Sequence, residues 1–379
     1  MSETAMARAP ASFMSFFRIG LVQTVGFVVY LILPVYVQAL SNRMGFGDQG
    51  AGYLASLSLA GIAVGTFIGM ALQKPFGTRK PVVAALVAMA AFDLLSPFVL
   101  DIATHGAVRF AAGVAGGLAL NIGATLVARP SNAERGFTVV VFMNTSFAAV
   151  MVFNLGALLD WGGMQALYWL LAGLDLITAL MIAFEPLHDR AVAVQAAGTS
   201  RAFSPGAIMA MLAFGLFLSG LAVSSTYMAT IGLSHGLPIE GVLQALAGAV
   251  LAGLLGAVGA GVVGSRFGRL PTQLFGLIVV IAMLCVMRFV PGELGFLLPL
   301  PILFIFWNFA PPFFAGLLAD FDPSGKAMAM ATTLMVILNA CAPALAAALF
   351  TPDAGYVMLA SILIVGTTIP LFFLASRKL

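Results

Sequence analysis

Charged residues are scarce in this chain, and their scarcity excludes a soluble globular protein. Only 8% of the 379 residues are charged, whereas a soluble domain carries roughly 25% because it must present a wetted surface. Hydrophobic residues make up 61% of the chain. Most of the chain is therefore expected to lie in a membrane, and its length predicts a number of membrane spans instead of a number of soluble domains.

Cysteine and histidine are also rare, which leaves little for redox, metal or catalytic chemistry. Cys285 and Cys341 both lie inside apolar stretches, so we expect two small buried thiols and no disulfide. His105, His188 and His235 lie in or beside predicted loops, and no zinc-binding helix, phosphate-binding loop or nucleophile elbow occurs. We expect no cofactor, no metal and no enzymatic activity.

The formal net charge of the chain is +3, and membrane topology explains this small basic excess. Membrane proteins carry an excess of Lys and Arg in the loops at one membrane face. The excess therefore does not predict binding to nucleic acid.

Apolar runs of about 20 residues, the length that crosses the hydrocarbon core, recur along the whole chain between breaks rich in Gly, Pro and charge. They predict an all-α membrane protein with twelve transmembrane helices. The first run is too long for a signal-peptide core, so we expect it to remain as a span. The spans are predicted near Phe16–Leu40, Gly50–Leu72, Pro81–Ile102, Gly106–Ala128, Phe137–Leu159, Met164–Phe184, Gly206–Ile231, Gly241–Gly264, Pro271–Val290, Leu294–Ala319, Ala327–Phe350 and Ala354–Ser376.

The distribution of positive charge predicts the orientation of these spans. Counting along alternate loops places 13 of the 17 Lys and Arg residues on one side, and that side is expected to be cytoplasmic. Both termini then lie in the cytoplasm. We expect a multi-pass protein of a bacterial inner membrane.

The longest polar connection, residues 185–205, has no core-forming pattern and divides the chain. It predicts a cytoplasmic tail at 1–15, a six-helix bundle at 16–184, a cytoplasmic linker at 185–205 and a second six-helix bundle at 206–379.

Short loop sequences are echoed between the two halves. QKPFGTRKP after span two is echoed by SRFGRLP after span eight, with Gly77 and Gly268 separated by 191 residues. PSNAERG after span four is echoed by DPSGKAM after span ten, with Ser131 and Ser324 separated by 193 residues. Six spans repeated in the same orientation indicate a parallel duplication, which is known from transporters.

In span count, loop lengths, linker and loop signature the chain resembles the major facilitator superfamily. The loop Gly261-x-x-x-Ser265-Arg266-Phe267-Gly268-Arg269 is similar to that family's cytoplasmic signature, with Ser265 in the place of its acidic residue. The resemblance implies two bundles that work by alternating access. It also implies a gating role for Gly77, Arg79, Lys80, Arg266, Gly268 and Arg269, and the alternative is that these loops only hold the topology.

A second resemblance lies in span four, where Arg109 precedes Gly113, Gly116 and Gly117. This run resembles the family's motif associated with proton coupling. An arginine inside a span costs at least about 2.5–3.5 kcal/mol, so it faces a cavity or a partner; the alternative is that it snorkels outward and pairs with Asp101. Gly113 and Gly117 have the spacing of close helix packing.

Two carboxyl groups are predicted inside spans, each near the midplane: Asp93 in span three and Asp175 in span six. Burial disfavours the anion, so each must be protonated or paired. Asp93, Arg109 and Asp175 are therefore candidates for proton coupling, with a structural hydrogen bond as the alternative. At 1.5 Å per residue Asp93 and Arg109 differ in depth by roughly 9 Å, which predicts that Arg109 reaches inward or that the two pair in only one access state.

The resemblance implies a cavity lined by spans one, four, seven and ten. Their polar and aromatic residues suit a weakly polar solute held by stacking and a few hydrogen bonds, although the same aromatics are equally compatible with facing lipid. Pro311 and Pro312 predict either a hinge or a tolerated kink. The substrate-binding candidates are Gln23, Tyr30, Asn121, Tyr227, Trp307 and Asn308.

Taken as a sequence, the chain predicts a monomeric secondary active transporter that couples protons to a small amphipathic or aromatic solute, with export favoured. Its partners are the solute, protons and the lipid bilayer. The alternatives are an importer of sugars or organic acids and a transport-dead sensor or scaffold. A membrane enzyme would need His, Asp or Glu clustered at one membrane face, and the acids of this chain are scattered.

Overall fold

The structure, a computed structural model, describes residues 13–76, 78–127, 133–184, 204–263, 266–322 and 326–378. Helices make up nearly all of this part, joined by short connections. They are α1 (Phe13–Gly26), α2 (Val28–Leu31), α3 (Leu33–Arg43), α4 (Gly47–Phe76), α5 (Arg79–Leu95), a 3₁₀ helix (Ser96–Phe98), α6 (Ile102–Val127), α7 (Ala133–Ala183), α8 (Pro205–Thr226), α9 (Met228–Ser234), α10 (Ile239–Val263), α11 (Arg269–Phe289), α12 (Leu294–Leu297), α13 (Pro299–Phe309), α14 (Pro311–Phe321), α15 (Lys326–Ala348) and α16 (Gly355–Ser376).

Within the described residues, ten helical segments are long and apolar enough to cross a membrane. The protein is therefore a multi-pass membrane protein. The count is lower than the predicted twelve for two local reasons. The first predicted span is divided among α1, α2 and α3, and the segment Phe142–Ala183 counts once although its helix is interrupted.

The interruption in that long segment falls at two glycines. Gly162 and Gly163 have non-helical backbone angles, and Gly163 has φ +60° and ψ −158°, a conformation that favours glycine because it has no Cβ. The two glycines lie between the predicted spans Phe137–Leu159 and Met164–Phe184.

The first span is broken at Phe27 and at Ile32, where ψ is near 10° instead of the helical value. Pro34 explains the second break, because proline has no N–H to donate to the preceding turn. The four residues of α2 are therefore a short separate turn between two longer helices.

Helices α4 and α6 pack backbone against backbone through small residues. A Cβ built on Gly117 would lie 1.9 Å from the carbonyl oxygen of Ile62, and one on Gly65 would lie 1.9 Å from that of Val114. The close-packing role predicted for Gly113 and Gly117 is confirmed, since Gly113 faces the Ser58 carbonyl in the same way.

The second half of the chain repeats this contact. A Cβ built on Gly256 of α10 would lie 1.8 Å from the carbonyl oxygen of Ile305 in α13. Gly65 and Gly256 are 191 residues apart, the same separation as that of Gly77 and Gly268.

Contacts between the two halves lie mainly on α4 with α15 and on α7 with α10. The Ser56 hydroxyl donates to the Ala340 carbonyl, Gly52 faces Ala347, and Gly156 faces Leu243. These contacts lie toward the end of the molecule where α5 passes into α6 through residues 96–101, which we call the α5–α6 end.

Two predictions about apolar side chains need correction. Cys341 is exposed and Cys285 is half-buried, so neither is the buried thiol that the sequence predicted. The reason is that an apolar stretch in a membrane helix has a lipid-facing side as well as a packed side.

The two prolines Pro311 and Pro312 begin α14. The preceding residue, Ala310, has near-helical backbone angles of φ −73° and ψ −40°. In this structure the prolines therefore produce a tolerated kink.

Candidate functional site

The first half of the chain buries six polar side chains together, and we call them the Asp93 cluster. Each is at most 3% exposed. Such burial is costly unless the groups satisfy one another, so their contacts define the site. The members are Tyr36 on α3, Asp93 on α5, His105 and Arg109 on α6, and Tyr168 and Asp175 on α7.

The centre of the cluster is an ion pair. Arg109 Nη2 donates a 2.6 Å hydrogen bond to Asp93 Oδ1, and the guanidinium carbon lies 4.9 Å from the centre of the Tyr168 ring. The ring therefore adds a cation–π contact to the ion pair.

The predicted depth difference between these two residues is wrong. Helix α5 ends at Leu95 and continues as a 3₁₀ turn, so Asp93 lies close to the α5–α6 end instead of near the midplane, at a level that Arg109 can reach.

The alternative pairing of Arg109 with Asp101 is also wrong. Asp101 lies outside the membrane-spanning segments and accepts hydrogen bonds from the backbone N–H and hydroxyl of Thr104, at 2.8 and 2.7 Å. These bonds lower the pKa of Asp101. Arg109 is thus a buried partner of Asp93 and does not snorkel.

Asp175 brings a second carboxyl to the ion pair. Its side chain lies close enough to the Asp93 carboxyl for the two to interact, and among the described residues its Oδ2 is buried without a hydrogen-bond partner. Two adjacent carboxylates repel each other, and a shared proton removes that repulsion. The positive charge of Arg109 and one shared proton together cancel the two negative charges of Asp93 and Asp175. The pair of carboxyls can therefore hold or release a proton.

A row of hydrogen bonds leads from the ion pair toward the α5–α6 end. The hydroxyls of Tyr36 and Tyr168 are 3.0 Å apart, and Tyr168 lies 3.2 Å from His105 Nε2. His105 Nδ1 lies 3.0 Å from the carbonyl oxygen of Val99. Sequence reasoning placed His105 in or beside a loop, yet it is fully buried in the first turn of α6.

A cavity of about 240 Å³, which we call the central cavity, lies between the two halves. Among the residues that the structure describes, its lining carries no charged side chain. The lining consists of Tyr30, Leu31, Pro34, Asn144, Thr145, Ala148, Val152, Ser225, Leu246, Val250, Phe304, Trp307 and Asn308.

Three of the six predicted substrate-binding residues, Tyr30, Trp307 and Asn308, line the central cavity. The side-chain amide of Asn308 donates a 3.0 Å hydrogen bond to the Phe304 carbonyl of the preceding turn. The side-chain oxygen of Asn308 can then accept a hydrogen bond from a solute. Asn144 was missed, and its oxygen accepts a 2.7 Å hydrogen bond from Thr24.

The other three predicted residues lie elsewhere. Gln23 is buried on α1 beside Gly123, and Asn121 lies beside Gly69. The Tyr227 hydroxyl donates to the backbone of α4 at the α5–α6 end. These three side chains therefore pack between helices and do not line the central cavity.

The short helix α2 lies between the Asp93 cluster and the central cavity. Val28 and Val29 line a small cavity of about 20 Å³ together with Asp93 and Arg109. The next residue, Tyr30, lines the central cavity. A four-residue turn thus contacts both sites.

Of the residues predicted to gate the transporter, Arg79 and Lys80 begin α5, Arg269 begins α11, and Arg266 and Gly268 lie in the connection before α11. Gly77 lies outside the described residues, and Arg79, Lys80 and Arg266 are exposed. Gly268 has a φ of +80°, a backbone conformation that favours glycine. Arg269 forms an ion pair with Asp320 at the end of α14.

A family model matches most of the chain. The model of the Major Facilitator Superfamily matches residues 19–343. No curated protein matched the chain by sequence.

Among solved structures, a D-xylose–proton symporter is 15% identical, with a TM-score of 0.74 over 95% of this chain and 96% of that one. A bacterial homologue of the human lysosomal transporter Spinster, inward-facing and occupied, is 14% identical, with a TM-score of 0.74 over 98% of each chain. The nucleoside transporter NupG is 14% identical, with a TM-score of 0.75 over 96% of this chain and 98% of that one. At these identities the likeness shows the fold alone.

Proposed function

Since the chain belongs to the major facilitator superfamily, a family of transporters, we propose that it is a proton-coupled carrier of small uncharged organic solutes. One observation carries this proposal. Helix α2 contacts the Asp93 cluster through Val28 and Val29 and the solute cavity through Tyr30. A change in protonation on one side of this turn can therefore alter the cavity on the other side.

The substrate class follows from the lining of the central cavity. Its volume of about 240 Å³ equals the volume of about eight water molecules in liquid water. The cavity can therefore hold only a small solute. Tyr30, Trp307 and Phe304 offer aromatic surface, while Asn144 and Asn308 offer hydrogen bonds. An amphipathic or aromatic solute without charge fits this combination, because a charged one would lose its hydration without gaining an ionic partner.

The transport cycle we propose is alternating access between two six-helix bundles of twelve spans in all, with no nucleotide hydrolysed. The matching separations of Gly65 and Gly256 and of Gly77 and Gly268 support a parallel duplication of this kind. From the positive loops we also propose that both termini lie in the cytoplasm and that the membrane is a bacterial inner membrane. The α5–α6 end then faces outward, and its contacts form the outer gate of a monomeric carrier.

Protons are proposed to act through Asp93 and Asp175. When the carboxyl pair holds a proton, Arg109 balances the single remaining charge; when the proton leaves, the second anion must find another partner or be hydrated. The two protonation states therefore favour different arrangements of α2, α5 and α6, as coupling requires.

The experiment is solute-driven proton movement in proteoliposomes that contain a pH-sensitive dye. The solutes are a neutral panel of a pentose, a nucleoside and small aromatic amphiphiles. We expect at least one of them to move protons with the parent protein. Asp93→Asn should abolish the proton signal but retain solute binding and exchange. Asp160→Asn, which removes an exposed carboxylate paired with Arg43, is the matched control and should behave as the parent.

The outcome also separates the rival functions. Proton movement with only the pentose would favour sugar import over transport of an aromatic solute. Solute binding without flux would favour a sensor. If Asp93→Asn moves protons as well as the parent does, the coupling site is not the Asp93 cluster.

A further inference from the structure

The two asparagines of the central cavity, Asn144 on α7 and Asn308 on α13, present opposite hydrogen-bonding groups to a solute. We infer that the cavity selects neutral aromatic solutes that carry a carboxamide group with a free N–H. Asn144 donates to the carbonyl of that group, and Asn308 accepts from its N–H. The inference rests on the proposed function and names the substrate class of that site.

The side-chain nitrogen of Asn308 is held between α13 and α10, away from a solute. Nδ2 donates a 3.0 Å hydrogen bond to the Phe304 carbonyl. A Cβ built on Gly253 of α10 would lie 2.6 Å from the same nitrogen, so the missing side chain of Gly253 makes the space in which this nitrogen lies. The oxygen is therefore the group that a solute reaches, and an amide oxygen only accepts.

The side chain of Asn144 is held in the opposite sense, through its oxygen. The Thr24 hydroxyl lies 2.7 Å from Asn144 Oδ1 and 3.0 Å from the Gly20 carbonyl. In an α-helix such as α1 the Gly20 carbonyl already accepts the backbone N–H of Thr24. The single hydroxyl proton of Thr24 therefore goes to the shorter contact, with Asn144. This occupies the Asn144 oxygen and leaves the NH₂ group, which only donates, for a solute.

The other groups of the central cavity supply surface but not this selectivity. The hydroxyls of Tyr30, Thr145 and Ser225 also belong to lining residues, and a hydroxyl donates or accepts as its partner requires. The rings of Phe304 and Trp307, 5.4 Å apart, form an aromatic wall. Among the described residues of the lining, the two asparagines thus supply one defined donor and one defined acceptor, the complement of a carboxamide.

The test compares two probes of the same shape, benzamide and acetophenone, which differ by an amino group in the place of a methyl group. Acetophenone keeps the carbonyl but has no N–H to offer Asn308. Binding to the parent protein in nanodiscs is measured by equilibrium dialysis, and empty nanodiscs correct for partition into lipid. We expect benzamide to bind roughly tenfold more tightly, because acetophenone leaves the Asn308 oxygen desolvated and unpaired.

Leucine variants assign the two hydrogen bonds, because leucine is close to asparagine in size and forms no side-chain hydrogen bond. Asn308→Leu should weaken benzamide binding roughly tenfold and leave acetophenone binding unchanged, so that the preference disappears. Asn144→Leu should weaken both probes by the same factor and preserve the preference. Asn154→Leu, at an exposed asparagine of α7, is the matched control and should bind both probes as the parent does.

The preference of the parent protein decides the inference even if a leucine variant does not fold. Equal binding of the two probes, or binding of neither, overturns the inference and leaves proton coupling through Asp93 intact. A preference that persists in Asn308→Leu, or that is lost in Asn154→Leu, also overturns it. If no solute of the neutral panel moves protons, the proposed function fails, whereas a benzamide preference that depends on Asn308 still supports the binding site.

Discussion

The hydroxyl of Tyr227 donates a 2.6 Å hydrogen bond to the backbone carbonyl of Asp48. The bond joins the break between α8 and α9 in the second half to the first turn of α4 in the first half. The Tyr227 ring also lies 4.6 Å from that of Phe350. Tyr227, predicted from the sequence as a substrate ligand, thus lies where the two halves meet at the α5–α6 end.

Removing this hydroxyl should weaken the contact between the halves. A hydrogen bond of this kind contributes about 1 kcal/mol, so Tyr227→Phe should shift the equilibrium roughly fivefold toward the conformation that is open at the α5–α6 end. Distances between spin labels at Asn42 and Gly236 would report the two populations. Tyr356→Phe, at an exposed tyrosine, is the control, and equal populations in the two variants would contradict a gate at Tyr227.

The buried ion pair predicts a double-mutant cycle. Arg109→Met leaves Asp93 without its partner and should lower the free energy of unfolding by about 3–5 kcal/mol, as should Asp93→Leu. The double variant should recover most of that loss, because neither charge remains buried, yet it should not couple protons. Unfolding in detergent measures the first effect and proteoliposome flux the second. Additive losses would show that the two side chains do not interact.

The sequence predicted the architecture well because a bilayer imposes strong rules. The length of the apolar runs predicted the membrane helices. The spacing of Gly113 and Gly117 predicted one pair of closely packed helices. The breaks inside the first span were not predicted, although Pro34 was a signal for one of them. Local backbone breaks depend on the packing of neighbouring helices, which periodicity does not describe.

The candidate site was predicted less completely, for reasons of geometry. Asp93, Arg109 and Asp175 were identified because charge inside a span is costly, and the structure brings them together. His105 was assigned to a loop because the start of α6 was placed too late. Its spacing of four residues from Arg109, which puts both on one helix face, was the signal that could have found it. Asn121 and Tyr227 were chosen by span alone, and a span has several faces.

Close packing of α4 on α6 predicts a strong effect of one methyl group. Gly117→Ala places a Cβ against the Ile62 backbone, which cannot move like a side chain, so the helices must separate. We expect a loss of stability of about 1–3 kcal/mol or more. Gly248→Ala on α10, where nothing lies within 4 Å of the added Cβ, should be nearly neutral. Thermal unfolding of both variants in the same detergent tests the prediction, and equal stability would contradict it.

Asp101 predicts a pH effect at the start of α6. Its pKa is lowered by the Thr104 hydrogen bonds, so its stabilising effect is complete above the unfolded pKa of about 3.9 and is lost as the pH falls through the lower folded value. Hydrogen exchange of residues 102–105, corrected for intrinsic rates, should increase in that acid range. Asp101→Asn keeps a capping oxygen and should remove the pH dependence. The same acid response in this variant would mean that another group is responsible.

Trp307 tests the central cavity directly. It lines the cavity on α13, and its ring lies 5.4 Å from that of Phe304, so that the two rings form one aromatic wall. Trp307→Ala should weaken binding of the best solute of the neutral panel by about 2 kcal/mol, or roughly thirtyfold. Trp307→Phe should keep most of the affinity because a ring remains, and the larger cavity of the Ala variant should admit bulkier solutes of the same class. Trp169→Ala, at a tryptophan half exposed on α7, is the control for loss of an indole elsewhere. If Trp307→Ala and Trp169→Ala bind the solute equally well, the binding site is not the central cavity.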